Sequence, residues 1–203
     1  NVGLLYILPW ILGILLLKVF PFGLSLFLSF TRYDLISSPQ FIGIENYVEM
    51  FKDELFIKSL LNTIKYVIVT VPLKLAFALF IASILNFKIK GVGIFRTAYY
   101  LPSILGGSVA ISVLWRFLFA DNGLVNILLK MLHLPTASWM GDQKYALFTI
   151  GLLSVWQFGS SMVIFLAALK NIPNTLYEAA RIDGASKVRM FFSITFPLLT
   201  PVI

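Results

Sequence analysis

Residues 145–169 read YALFTIGLLSVWQFGSSMVIFLAAL, a run of 25 positions without a charged side chain. As a helix this run extends about 37 Å, against a hydrocarbon layer of about 30 Å. A soluble helix of that length would carry charged residues on one face, and this run has none. The run is therefore read as a transmembrane helix, and three more lie upstream. Residues 3–31 are interrupted only by Lys18, and residues 57–86 and 94–120 have helical length as well. A secretory signal would end after about 7–15 apolar residues at a small-residue cleavage site, which residues 3–31 lack. A last apolar run begins near Ser193 and is 11 residues long where the sequence stops, too short to cross. The sequence predicts an all-α membrane protein: a polytopic transmembrane helix bundle with four full spans and the start of a fifth. With no initial Met and an end inside an apolar run, it is read as a fragment truncated at both ends.

Composition excludes other classes. Hydrophobic residues make up 59% of the 203 and charged residues 12%, with mean hydropathy +0.92; a soluble domain carries about a quarter charged residues. Absence of cysteine removes disulfides, thiolate metal sites and thiol catalysis, and a single histidine, His133, removes multi-histidine metal or proton-relay sites. His133 itself reads as a solvated loop or interface residue. A net charge of +7 on so apolar a chain fits the Lys/Arg excess that membrane proteins keep on the cytoplasmic side, and no nucleic-acid partner is expected.

Orientation follows from the connectors. Residues 87–96 hold Lys88, Lys90 and Arg96 without an acid, and residues 170–192 hold Lys170, Arg181, Lys187 and Arg189 against Glu178 and Asp183. The alternate connectors, 32–58 and 116–144, hold six basic residues in nearly twice the length. The denser pair is assigned to the cytoplasm. Within 41–56, Ile44, Tyr47, Val48, Phe51 and Leu55 recur at helical spacing, so a surface helix is predicted. Leu124, Ile127, Leu128 and Met131 repeat the pattern opposite Asn126, Lys130 and His133. No H-E-x-x-H, G-x-S-x-G or paired carboxylate within a span is present, so an enzyme is not expected. Gly91, Gly93, Gly106 and Gly107 lack the Lys and Ser/Thr of a phosphate cradle, so any ATP is bound by another chain.

The most specific stretch is cytoplasmic, residues 174–192: NTLYEAARIDGASKVRMFF, with Pro173 before it and Pro197 behind. Thr175 and Glu178 are spaced as a capping box opening a short helix, and Pro173 ends the span before it. Gly184 supplies a turn between two short helices. Ala179, Ala180, Ala185 and Ser186 leave room for a close-packed surface; an ordinary loop helix fits the same pattern.

Glu178-Ala179-Ala180, three residues, Gly184, nine residues, Ile194, one residue, then Phe196-Pro197 resembles the EAA loop of membrane subunits of ATP-binding-cassette importers, Phe196 standing where Leu is usual. Asp183-Gly184-Ala185 and Pro201 are similar to the carbohydrate-uptake branch, which includes maltose and glycerol-3-phosphate permeases. Residues 21–34, Ile44-Glu45-Asn46-Tyr47 ahead of Phe51, and residues 95–115 with Leu101-Pro102 fit the same branch. Ser29-Phe30-Thr31 leading into Tyr33-Asp34 resembles the first of its two permease subunits. The resemblance implies a single permease domain of the type I importer kind over 1–203, multi-pass in the bacterial cytoplasmic membrane. It also implies a second permease subunit as heterodimer partner, a cytosolic ATPase dimer holding ATP and Mg, an extracytoplasmic substrate-binding protein and a sugar substrate. No cofactor is expected on this chain; an importer of another solute, such as glycerol phosphate, is the alternative. Glu178, Ala179, Ala180, Asp183, Gly184 and Ala185 would then couple to the ATPase, Glu178 pairing either with one of its basic residues or locally.

For the substrate path, Gln157, Ser160 and Ser161 fall on one helix face with Trp156 and Phe158 beside them. Span three adds Ser103, Ser108 and Trp115. Helix-to-helix packing is the competing role for each. Lys74 lies about 18 Å from the cytoplasmic end of span two, beyond comfortable snorkelling, and needs a partner or water. An acid of the second permease and an acidic sugar such as a uronate are both open. Lys65, nine residues away, falls on roughly the opposite face.

Overall fold

With no water in the bilayer core, the backbone must satisfy its own hydrogen bonds. The computed structural model describes residues 2–87 and 91–203, and these are helical apart from one short hairpin and connecting turns. Lys88 and Lys90, counted above for orientation, lie outside the described residues. Two compact units are formed, Asn1–Leu61 and Asn62–Ile203.

In the first unit α1 (Val2–Ile14) passes through a π-turn, Leu15–Val19, into α2 (Phe20–Ser29). Pro21 explains the wider turn: it has no N–H, and its ring would crowd the carbonyl four residues earlier. The 24 residues Tyr6–Ser29 are long and apolar enough to cross a membrane. Strands β1 (Thr31–Arg32) and β2 (Gln40–Phe41) then pair antiparallel, Thr31 opposite Phe41 and Arg32 opposite Gln40. Between them the Ser37 hydroxyl and the N–H groups of Ser37 and Ile36 donate to the Asp34 carboxylate and lower its pKa to about 2. Surface helix α3 (Glu45–Lys52) forms within the predicted stretch. Its Asn46 Nδ2 donates to the carbonyls of Ser29 and Thr31, each at 2.9 Å. The Ser29 and Tyr47 hydroxyls lie 2.7 Å apart, and Arg32 pairs with Glu45 at 3.2 Å. The separate sequence stretches 29–31 and 44–47 thus make one structure, in which Asn46 occupies carbonyls left over at the end of α2. Asp53 Oδ1 then accepts from Leu55 N at 2.8 Å and opens α4 (Glu54–Leu85), 32 residues long.

The second unit begins within α4 and continues through α5 (Val92–Leu105), α6 (Val109–Leu118), α7 (Leu124–Met131), α8 (Gln143–Trp156), α9 (Gly159–Asn171), α10 (Asn174–Ile182) and α11 (Lys187–Met190). A second π-turn, Phe191–Thr195, leads into α12 (Phe196–Leu199) and a 3-10 turn, Thr200–Val202. This π-turn again precedes Phe-Pro, here Phe196-Pro197. The core packs Ala78, Ile81, Ala82 and Leu85 of α4 against Phe158, Met162, Phe165, Leu166 and Leu169, with Leu199 closing it. Ala78 and Ala82 are fully buried in it.

Two expectations are corrected. Spans three and four are not straight helices: α5 and α6 meet at 98°, α8 and α9 at 44°. Gly106-Gly107 breaks span three, and Ser108 caps the new helix, its Oγ accepting from Ile111 N at 3.4 Å. Asn126 does not sit on an outward polar face of α7. It is 2% exposed, while Leu124, Ile127, Leu128 and Met131 are exposed. Its Nδ2 donates to the carbonyls of Ala137 (2.9 Å) and Asp121 (3.0 Å), and its Oδ1 accepts from Trp139 Nε1 (2.9 Å). One amide satisfies several loop groups at once, which favours its place inside. His133 has φ +56° and closes the helix: His133 N donates to Lys130 O and Leu134 N to Leu129 O, a Schellman motif.

Candidate functional site

Two places in the second unit gather the candidate residues. The first is the elbow after α9. Ile172 and Pro173 are both extended, since a residue before proline avoids the helical region, and α10 starts at Asn174. The capping box expected of Thr175 and Glu178 does not form: helix entry falls two residues earlier, with Pro173 as the N-cap, which has no side-chain acceptor. The C-terminus is better built. Gly184 (φ +75°) donates to Arg181 O at 3.1 Å and Ala185 N to Ala180 O at 2.9 Å, a second Schellman motif. This gives a physical reason for the Ala180 to Gly184 spacing, because the left-handed glycine turns the chain so that Ala185 N reaches the carbonyl of Ala180. Ser186 Oγ then accepts from Arg189 N at 3.3 Å and starts α11.

The faces of α10 differ. Tyr177 and Ala180 are half-buried, whereas Glu178, Ala179 and Asp183 are exposed and Ile182 is 87% exposed. Among the described residues Glu178 has no ion pair, so the local pairing allowed by the sequence is not made and its carboxylate faces outward unneutralised. Ala180, Asp183, Ala185 and Arg189 line an open pocket of about 250 Å³ inside the elbow. Tyr177 and Ile182 were not singled out in the sequence. An isoleucine one turn after Glu178, among polar neighbours, was the available signal.

The second place is where the two helix breaks meet. Ser103 Oγ donates to Gln157 O at 3.0 Å and accepts from Ser160 N at 3.1 Å, while Gln157 Nε2 donates to Gly106 O at 3.3 Å. Carbonyls and N–H groups released by one break are thus taken up by the other. Trp115 Nε1 donates to Thr149 O at 3.0 Å, and its ring lies 6.1 Å from that of Trp156. Ser103, Trp115, Trp156, Gln157 and Ser160 therefore gather at or beside the junction, bracing it. The Ser160 hydroxyl and Gln157 Oε1 have no hydrogen-bond partner among the described residues. Lys74 lies elsewhere on α4, on the face of buried Thr70 and Ala78; it is half-buried, without an ion pair among the described residues, and Lys65 is exposed. A groove of about 620 Å³ between α4, α9 and the last helical run, lined by Leu75, Leu79, Phe165, Phe191 and Phe196, offers a saccharide almost no polar partner. Its Ser83 hydroxyl already donates to Leu79 O.

Known proteins similar to this chain are transport proteins. Residues 54–203 match the family described as binding-protein-dependent transport system inner membrane component. The chain belongs to that family. It is 53% identical over 203 residues to the "Probable ABC transporter permease protein YesP" of Bacillus subtilis (strain 168), covering 99% of this chain and 66% of that protein. It is 35% identical to the sn-glycerol-3-phosphate transport system permease protein UgpA of Yersinia pestis, covering 98% and 68%. Among solved structures, a chain of a bacterial alginate ABC transporter, in complex with alginate pentasaccharide-bound periplasmic protein, superposes with TM-score 0.81 at 25% identity, covering 98% of this chain and 68% of that one. The chain thus spans about two thirds of the length of these relatives, has the fold of type I importer permeases, and is a membrane subunit.

Proposed function

We propose that the chain is a permease subunit of an ATP-driven bacterial sugar or oligosaccharide importer in the cytoplasmic membrane. It forms half of a translocation path with a second permease, receives substrate from an extracytoplasmic binding protein, and is driven by a cytosolic ATPase dimer that holds ATP and Mg. The observation that carries this reading is the elbow: a short helix locked by Gly184, presenting Glu178, Ala179 and Ile182 outward, with no ion pair to Glu178 among the described residues. A two-state transporter needs a rigid lever of this sort between its motor and its spans. Ser160, Gln157 and the Trp156 face at the junction of broken spans are the proposed saccharide contacts, Ser103 and Trp115 holding them in place, since discontinuous helices commonly frame transport sites.

Uptake of labelled neutral oligosaccharides, uronate oligosaccharides and sn-glycerol 3-phosphate by cells lacking the full-length gene, with and without its return, tests the proposal. Return of the gene should restore saccharide uptake; restoration of glycerol 3-phosphate uptake alone would favour the alternative solute. Half-buried Lys74 favours a second reading, an acidic saccharide, because all nine acids of the chain lie outside the apolar runs or at the first residue of α4. Lys74→Met should then depress uronate uptake selectively. A complex that instead becomes hard to isolate would assign Lys74 to an acid of the second permease, left buried and unpaired.

A further inference from the structure

We infer that Tyr177 and Thr195 form the link through which movement of the elbow reaches the last span, with Tyr177 as a positioning residue for coupling; this rests on the reading of α10 as the contact for an ATPase. The Tyr177 hydroxyl and Thr195 Oγ1 lie 2.8 Å apart across 18 residues of sequence. Thr195 is 6% exposed and Tyr177 half-buried, so water competes little for the bond. The two residues sit where a lever and its load should meet. Tyr177 immediately precedes Glu178-Ala179-Ala180, on the inward side of α10, opposite the face left open to a partner. Thr195 is the last residue of the π-turn Phe191–Thr195, directly before Phe196-Pro197.

That turn is the place where the last helical run can yield. Pro197 removes one backbone donor, and the π-turn already departs from the regular ladder, so rearrangement there disturbs fewer intact bonds than elsewhere in a helix. The elbow between the two residues is stiff, closed by the Gly184 Schellman motif and the Ser186 cap. A push on the outer face of α10 therefore has two ways to reach span five: along the chain through the elbow, or directly through the hydroxyl pair. The pair bypasses the exposed loop and acts on the yielding turn itself.

The test uses the full-length permease assembled with its partner permease and ATPase in proteoliposomes, where a single thiol can be introduced into a stretch without native cysteine. Ser193→Cys places it on the π-turn at an exposed position. Its maleimide labelling rate should differ at least about threefold between nucleotide-free complex and complex trapped with ATP and vanadate. Adding Tyr177→Phe, or Thr195→Val as the isosteric partner change, should bring the two rates together while ATP hydrolysis and ATPase co-purification persist. Thr195→Ser, which keeps the hydroxyl, should restore the difference, and the double Tyr177→Phe/Thr195→Val should be no worse than either single change. A merely structural role would lower assembly and hydrolysis together without abolishing the nucleotide response. An intact response in the Tyr177→Phe and Thr195→Val backgrounds would overturn the inference, as would the absence of any response in the native background. Failure of the ATPase to co-purify with the unaltered permease would instead overturn the functional reading beneath it.

Discussion

Gly184 shows what a single residue contributes. Its φ of +75° is a conformation that costs an L-residue about 1–2 kcal/mol, yet a Cβ built there meets nothing within 4 Å. Gly184→Ala should therefore lower stability of the elbow by about that amount through backbone strain alone. Asn and Asp tolerate left-handed backbone better than other side chains, and they differ in charge. Gly184→Asn is expected to retain much of the uptake, while Gly184→Asp should keep ATP hydrolysis and lose uptake, because it adds a charge beside Asp183 on the surface offered to the ATPase. Uptake and hydrolysis measured together in reconstituted complexes check this; full uptake with substrate-stimulated hydrolysis in Gly184→Asp would remove the turn from the coupling contact. The turn was legible in the sequence because few residues other than glycine serve at such a position. The inward Tyr177 was not, since its partner Thr195 lies beyond a turn whose angle no local pattern specifies. Asn126 was read on the wrong side of its helix for a related reason: amphipathic spacing separates two faces without saying which one meets the loop, and an amide with several partners inverts the usual rule.

At the scale of elements, run length identified the two long apolar helices, and local chemistry decided how the other two runs bend. Gly106-Gly107-Ser108 was visible as a stretch, but it counted only against a phosphate cradle; its use is to end one helix and cap another. The break at Gln157 and Phe158 had no comparable signal, because the groups that stabilise it, Ser103 and Gly106, belong to another span. The crossing of α5 and α9 yields a graded prediction. A Cβ at Gly159 would overlap the Tyr99 carbonyl oxygen and stand 2.8 Å from Tyr100 Cα, both fixed backbone atoms. At Gly151 the obstacle is the Thr70 hydroxyl at 2.9 Å, a side chain able to rotate. Gly13 and Gly23 meet nothing. Gly159→Ala should thus destabilise by about 1–3 kcal/mol as an overpacked interface, Gly151→Ala by less, and Gly23→Ala hardly at all. Thermal unfolding of the detergent-solubilised complex ranks them, and equal midpoints for Gly159→Ala and Gly23→Ala would contradict the close crossing.

For the whole molecule the least legible property is orientation. The sequence offers seven basic residues in the denser connectors against six in the others, and two of the seven, Lys88 and Lys90, lie outside the described residues. The argument for a cytoplasmic elbow therefore rests on its chemistry more than on counting. The helix leaves Glu178 without an ion pair among the described residues and Ile182 87% exposed, a face free to meet a partner, and ATP is a cytoplasmic ligand. The outward turn of the apolar residues of α7 bears on the other side: a short helix that buries its amide and shows leucine and methionine is suited to rest at the membrane surface. These assignments can be tested together, because the stretch has no native cysteine. Ser186→Cys, exposed at the start of α11, should react with a membrane-impermeant maleimide only when the cytoplasmic face is opened. Asn126→Cys is unsuitable as its opposite, since it would remove the amide that holds Asp121, Ala137 and Trp139 together. Lys130→Cys, exposed four residues later on α7, should react in intact spheroplasts without permeabilisation. The reverse labelling at both sites would place the elbow outside, beyond reach of ATP, and would overturn the assignment of Glu178 to an ATPase contact.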